Sequence, residues 1–138
     1  MPPLPTIEQS KERHVLVTGG GGYLGSMLVP KLLEQGYEVS VIDLFTFGED
    51  PLLPVANHAR LHIYKDDIRR LDHFSSLLRD VDIVIHLASI SNDPTADLDP
   101  DLTISTNYLA TTALARWARA EGVQQFIFSS SCSVYGAS

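Results

Sequence analysis

Short apolar runs rich in β-branched residues alternate with longer stretches whose apolar residues recur every three or four positions. His14-Val15-Leu16-Val17-Thr18 is apolar through its middle and ends in glycines, the pattern of a strand buried on both faces. From Tyr23 the period becomes helical: Leu24, Leu28, Leu32 and Leu33 fall on one face, and Gly36 closes the segment. Pro30 lies inside that helix, where its missing N–H and its ring predict a kink; the apolar face continues past it, so no break is expected. Glu38 to Asp43 reads as the second strand. Residues 44–59, with Gly48, Pro51 and Pro54, read as a loop holding at most a short helix. Arg60 to Tyr64 alternates as a third strand, and Ile68 to Leu78 reads as a helix with Leu71, Phe74, Leu77 and Leu78 inward. Asp82 to Leu87 is a fourth, buried strand. A polar loop from Ser91 to Asp101 leads to a long helix from Leu102 to Glu121, stopped at Gly122. Gln125 to Ser130 is the fifth strand.

Strands joined by helical crossovers predict an α/β fold, a parallel sheet covered on both faces. Right-handed crossovers, with a run of glycines at the end of the first strand, predict a Rossmann-type doubly wound sheet of about five strands in the order 3-2-1-4-5. Residues 14–138 are expected to form one domain, an incomplete one. Residues 1–13, with three prolines and mixed charge, form a flexible N-terminal arm.

Composition narrows the class only slightly. Apolar residues make up 44% and charged residues 20%, an ordinary globular balance. The net charge of -7 argues against nucleic acid and anionic membranes as partners. A single cysteine, Cys132, excludes an internal disulfide and a cysteine-cluster metal site, and it reads as a small packing residue. Asp93, Asp97, Asp99 and Asp101 lack calcium-loop spacing and its glycine, so no metal is expected. No apolar run approaches the roughly 20 residues needed to cross a bilayer, and a cytoplasmic location is the default expectation.

The chemistry lies in Thr18-Gly19-Gly20-Gly21-Gly22-Tyr23-Leu24-Gly25, between a strand and a helix. Glycines there let the backbone turn tightly and approach a pyrophosphate, which then rests on free N–H groups at the positive end of the helix. Two registers fit: Gly20, Gly22 and Gly25 as GxGxxG, or Gly19, Gly22 and Gly25 as GxxGxxG. Asp43, at the tip of the second strand, suits the two hydroxyls of an adenosine ribose and would repel a 2′-phosphate. No Lys or Arg follows until Arg60, which favours NAD over NADP. Alternatively, Asp43 merely caps the next turn.

These residues, with four further segments in order, resemble the extended short-chain dehydrogenase/reductase family, in its NAD-dependent nucleotide-sugar epimerase/dehydratase branch. The glycine loop resembles TGGxGxxG, which selects the register of Gly19, Gly22 and Gly25, with Tyr23 and Leu24 beside the cofactor. Asp66-Asp67-Ile68-Arg69 is similar to the xDIR segment, implying that Asp67 and the backbone of Ile68 contact adenine. His86-Leu87-Ala88-Ser89 is similar to HLAA, implying that Leu87, Ala88 and Ser89 line the cofactor. Asn107 matches an asparagine supporting the cofactor side of the sheet. Phe128-Ser129-Ser130-Ser131-Cys132-Ser133-Val134-Tyr135-Gly136 resembles SSSxxVYG, placing the catalytic serine on Ser131 with Ser129 near the cofactor. Plainer readings stand beside these. Asp67 starts a helix, Asn107 is an ordinary buried amide, Ser129 to Ser131 are a polar strand end, and His86 is structural.

The resemblance implies hydride transfer between a sugar carbon and nicotinamide, with a tyrosine as acid/base and a lysine four residues later lowering its pKa. Tyr23, Tyr37, Tyr64, Tyr108 and Tyr135 do not precede a lysine at that spacing, so the catalytic Tyr and Lys partners are absent from this chain. The 138 residues are therefore expected to bind NAD weakly and to turn over no nucleotide-sugar substrate. In 4,6-dehydratases Asp and Glu follow the catalytic Thr; here Cys132 and Ser133 stand there, which favours epimerisation or simple oxidoreduction over dehydration. A non-catalytic dinucleotide-sensing module, and a reductase of steroid or flavonoid alcohols, remain alternatives. The resemblance also implies a homodimer built on the Leu102–Glu121 helix, with Leu109, Ala113, Leu114 and Trp117 on its apolar face.

Overall fold

Five parallel strands, β1 (His14–Thr18), β2 (Glu38–Asp43), β3 (Leu61–Lys65), β4 (Ile83–His86) and β5 (Gln125–Phe128), form one sheet in the order β3-β2-β1-β4-β5. This computed structural model describes residues 13–48, 50–91, 98–131 and 135–136. Residues 1–12 of the N-terminal arm, Asp93 and Asp97 of the polar loop, and Cys132, Ser133 and Val134 lie outside the described residues.

The order is the one that the alternation of strand and helix predicts, and the physical reason shows in β1. Every residue of β1 is buried, because the strand sits mid-sheet with apolar layers on both faces. Val15, Val17, Val39, Val41 and Ile83 pack with Val29, Leu33, Phe45 and Leu52 on one side. Leu16, Ile42 and Val84 pack with Leu71, Phe74, Leu78, Leu114 and Ala118 on the other. Strand ends move by one or two residues from the expected ones: β3 starts at Leu61, β4 spans Ile83–His86, and β5 stops at Phe128.

Helix α1 (Tyr23–Glu34) runs unbroken through Pro30, and its buried face differs from the expected one. Gly25, Val29 and Leu33 face the sheet; of the expected residues Leu33 is buried and Leu32 partly so, whereas Leu24 is 57% exposed. The shift by one residue has a steric cause. A Cβ on Gly25 would lie 2.4 Å from the Gly20 Cα and 2.5 Å from the Gly19 carbonyl oxygen, so only glycine lets this turn rest on the loop, and that contact fixes the helix's rotation.

The expected helix over 68–78 is absent. Two 3-10 segments, Leu71–His73 and Ser75–Asp80, stand there and bury Leu71, Phe74 and Leu78. The spacing of Leu71, Phe74 and Leu77 repeats every three residues, which satisfies a 3-10 turn as well as an α-helix. A third 3-10 segment, Asp50–Val55, lies in the loop after β2.

The long helical run comes in three pieces: α2 (Pro100–Ile104), a π-helical stretch (Ser105–Ala110) and α3 (Thr111–Ala120). Asp99 caps α2 by accepting the Leu102 N–H at 2.9 Å, with Pro100 in the first turn. Leu114 and Ala118 point into the core, while Leu109 and Trp117 face outward, so the four residues expected on one face divide between two.

Candidate functional site

The C-terminal ends of β1, β2 and β4 converge on the glycine loop. Gly19 adopts φ +74, and a Cβ there would lie 2.6 Å from the Ala88 backbone nitrogen, so the loop turns tightly against the segment leaving β4. Gly22 differs. A Cβ there would meet only the Gly19 carbonyl oxygen, at 3.3 Å. Gly22 is the N-cap of α1, in extended conformation, with no side-chain cap and no acidic residue in the first turn. The Gly22 N–H donates to the Gly19 carbonyl at 3.1 Å, so the positive end of the helix, without a side-chain cap, lies in the backbone that follows from Tyr23. Tyr23 and Leu24, the first two helical residues, are exposed beside it.

Asp43 closes the site on the β2 side. Its Oδ2 accepts the Gly21 N–H at 2.9 Å and its Oδ1 accepts the Phe45 N–H at 2.7 Å. Both carboxylate oxygens are oriented by these two bonds. Arg60 lies at the other end of its strand, donating to the Gly36 carbonyl at 2.7 Å. Lys65, which the sequence reading passed over, lies beside Asp43 in the β2–β3 register.

The Asp66–Arg70 turn joins the site through the Asp66 N–H, which donates to the Asp43 carbonyl at 3.0 Å. Asp67 starts no helix. It caps a tight turn, accepting the Arg69 N–H at 2.9 Å, and its carboxylate pairs with the Arg69 guanidinium through Nε at 3.0 and 2.9 Å. That pairing holds the Asp67 carboxyl below its ordinary pKa, and the Asp67 N–H bond does the same for Asp66. The Ile68 side chain beside this turn is buried in the core.

On the β4 side a buried polar chain fixes the loop. His86 is 1% exposed; its Nδ1 lies 2.6 Å from the Thr18 hydroxyl and its Nε2 lies 2.8 Å from the Thr111 hydroxyl. Burial pushes its pKa down to about 4, and the Phe128 ring stacks on it with centroids 5.8 Å apart. The Thr18 hydroxyl also accepts the Ala88 N–H at 3.3 Å, and the Leu87 N–H donates to the Thr18 carbonyl at 3.0 Å. One residue further, Asn107 projects from the π-helical stretch. Its Oδ1 accepts the Ile90 N–H at 2.8 Å and its Nδ2 donates to the Ile90 carbonyl at 2.7 Å. Asn107 is thus both a hydrogen-bonded amide and a support for the segment carrying Leu87, Ala88 and Ser89. Ser129 and Ser131 are exposed beyond β5, and the Ser129 N–H donates to the His86 carbonyl at 3.2 Å.

Gly19, Gly22, Tyr23, Leu24, Gly25, Asp43, Asp67, Leu87, Ala88, Ser89 and Asn107 therefore share one end of the sheet. Phe45 is a residue that sequence reasoning missed there. A cavity of about 460 Å³ opens elsewhere, lined by His14, Glu38, Ser40 and His62 among others. Two pairs of its lining groups are bonded to each other: His14 Nε2 lies 2.8 Å from the Ser40 hydroxyl and His62 Nε2 lies 3.0 Å from Glu38 Oε1. Among the described residues no cluster of His, Cys, Asp and Glu is set to hold a metal, and no helix is long and apolar enough to cross a membrane.

Comparison with known proteins places this arrangement. Residues 15–138 match the NAD dependent epimerase/dehydratase family. A UDP-glucose 4-epimerase of Klebsiella pneumoniae is 35% identical over 127 residues, covering 88% of this chain and 91% of that one. A UDP-N-acetylglucosamine 4-epimerase from Methanobrevibacter ruminantium M1, solved with UDP-N-acetylmuramic acid, superposes with TM-score 0.85 at 34% identity, over 93% of this chain and 41% of that one. A dTDP-glucose 4,6-dehydratase double mutant from Streptomyces venezuelae, solved with NAD, gives TM-score 0.83 at 32% identity, over 90% of this chain and 41% of that one. Against several other curated relatives this chain spans between 28% and 39% of their length. Sheet order, glycine loop and sequence match agree: this chain belongs to the NAD-dependent epimerase/dehydratase family.

Proposed function

We propose that this chain is the NAD-binding part of an NAD-dependent nucleotide-sugar epimerase or related oxidoreductase, and that its 138 residues hold the cofactor without completing the catalyst. The observation that carries the reading is the uncapped start of α1 at Gly22, a position open to an anion, flanked by the doubly anchored Asp43. The backbone N–H groups of Tyr23 and Leu24, at the start of α1, would hold the pyrophosphate. Asp43 would accept the adenosine ribose hydroxyls, Asp67 and the Ile68 backbone would meet adenine, and Leu87, Ala88, Ser89 and Ser129 would line the nicotinamide side. When bound, the nicotinamide supplies hydride transfer to and from a sugar carbon. Ser131 would hold the reacting hydroxyl.

Isothermal titration of the purified chain with NAD and NADP tests the reading. NAD is expected to bind at least about tenfold tighter than NADP, a difference of roughly 1.4 kcal/mol. Asp43→Ala is expected to abolish that preference, and no epimerisation of a nucleotide sugar is expected from these residues alone. Equal binding of NADP by the unaltered chain would remove Asp43 from this role and point to Lys65 as a phosphate partner.

We also propose a homodimer on the outward face of the helical run, where Ile104, Tyr108, Leu109 and Trp117 are exposed. Sedimentation equilibrium is expected to show a dimer that Trp117→Glu dissociates; a monomer at all concentrations would refute it.

A further inference from the structure

Phe45 has a backbone conformation that aromatic residues rarely adopt. Its φ is +51, in the left-handed region, yet it is no glycine and the residue is only 6% exposed. Such a conformation persists where the surroundings enforce it, and here three contacts do so. The Phe45 N–H turns back to donate to Asp43 Oδ1 at 2.7 Å. Its carbonyl accepts the Gly48 N–H at 3.0 Å, closing the turn. Its ring packs under the glycine loop, so that a Cβ on Gly21 would lie 2.7 Å from two ring carbons. The Gly21 N–H in turn donates to Asp43 Oδ2 at 2.9 Å.

One residue therefore acts on both carboxylate oxygens, directly on one and through the seat of Gly21 on the other. A carboxylate held at both oxygens keeps one orientation, and its remaining lone pairs keep fixed directions. We propose that Phe45 is a positioning residue for cofactor selectivity, holding Asp43 so that it accepts a ribose 2′,3′-diol and turns away a 2′-phosphate. This rests on the reading of Asp43 given above. It assigns the discrimination to the Phe45–Gly21–Asp43 assembly and not to the charge of Asp43 alone.

Phe45→Ala keeps the N–H and the charge of Asp43 but removes the ring. NAD affinity is expected to fall about tenfold while NADP affinity changes less than about threefold, narrowing the ratio. A role confined to packing would weaken both nucleotides alike. Phe45→Leu, which retains more buried bulk, is expected to shift the ratio in the same direction by less, and it keeps the test open if the alanine variant does not fold.

A second readout needs no nucleotide. Gly21→Ala alone forces its methyl into the ring, 2.7 Å from two of its carbons, and is expected to lower the melting temperature; in the Phe45→Ala background the ring is gone, only the Asp43 Cγ at 3.2 Å stays close, and the same substitution is expected to cost clearly less. That non-additivity is the signature of direct contact. Equal loss of NAD and NADP in the Phe45 variants would overturn the proposal, as would additive effects in the double variant. Absence of NAD binding by the unaltered chain would overturn the underlying site reading and this inference with it.

Discussion

Gly22→Ala is expected to leave the fold intact and to lower NAD affinity by at least about tenfold, roughly 1.4 kcal/mol. Gly25→Ala, three positions on, is expected to cost about 3 kcal/mol or more of stability. Both add one methyl group to the same loop, and the contrast follows from what each methyl meets. At Gly25 it meets backbone on two sides, at 2.4 and 2.5 Å, where nothing can yield without moving the loop off α1. At Gly22 it meets one carbonyl oxygen at 3.3 Å and otherwise open space. Relief there takes a few tenths of an ångström, and loss of a favoured N-cap residue adds up to about 1 kcal/mol. Thermal unfolding and NAD titration of the two variants check the contrast. If Gly22→Ala binds NAD as the parent does, the start of α1 is not the phosphate site.

The second large effect is a pH dependence. His86 has a folded-state pKa of about 4 against an ordinary 6.5, because burial disfavours the imidazolium. Below pH 6.5 the unfolded chain takes up a proton that the folded chain refuses, so stability falls with falling pH between 6.5 and 4. A gap of this size corresponds to roughly 3 kcal/mol across that window. Above pH 6.5 the imidazole is neutral in both states and the dependence vanishes. Asp66 and Asp67, with pKa values held below 3.8, act in a lower window: their contribution is present above 3.8 and lost as pH falls further. Denaturant titrations of the parent and of His86→Gln between pH 4 and 7 separate the two. The variant is expected to show a flatter profile from 6.5 to 4; an unchanged slope would exclude His86 as its source.

Much of the architecture was legible because buried parallel strands write themselves as short β-branched runs. β1 and β2 emerge with their expected bounds, and right-handed crossovers leave few orders for five such strands. The site was legible where chemistry forces a residue type: the glycines of the loop and an acid at a strand tip. Side-chain patterns hide what the backbone decides. Of the expected face Leu24, Leu28, Leu32 and Leu33 only Leu33 is buried; Gly25 and Val29 escaped notice because a glycine contributes no hydrophobicity, yet its contact with Gly20 turns the helix. Leu71, Phe74 and Leu77 fit two helix types at once. Neither the left-handed Phe45 nor the widened turn carrying Asn107 has a compositional signal, since both arise from packing between segments distant in sequence. Lys65 was overlooked for a related reason: its place beside Asp43 comes from strand register, which linear spacing does not reveal.

The Asn107 side chain imitates a peptide group. Its amide offers Ile90 the acceptor and the donor that a neighbouring strand would offer, from a helix instead. The segment after β4 is thereby tied at Ile90 to the helical run, while Leu87 and Ala88 before it stay bonded to Thr18 of the sheet. Displacement of Ile90 then requires the helix to move with it or both hydrogen bonds to break together. A shift of that helix, by a docking subunit or by a substitution on its outer face, would be felt as a change in the shape of the lip at Leu87, Ala88 and Ser89.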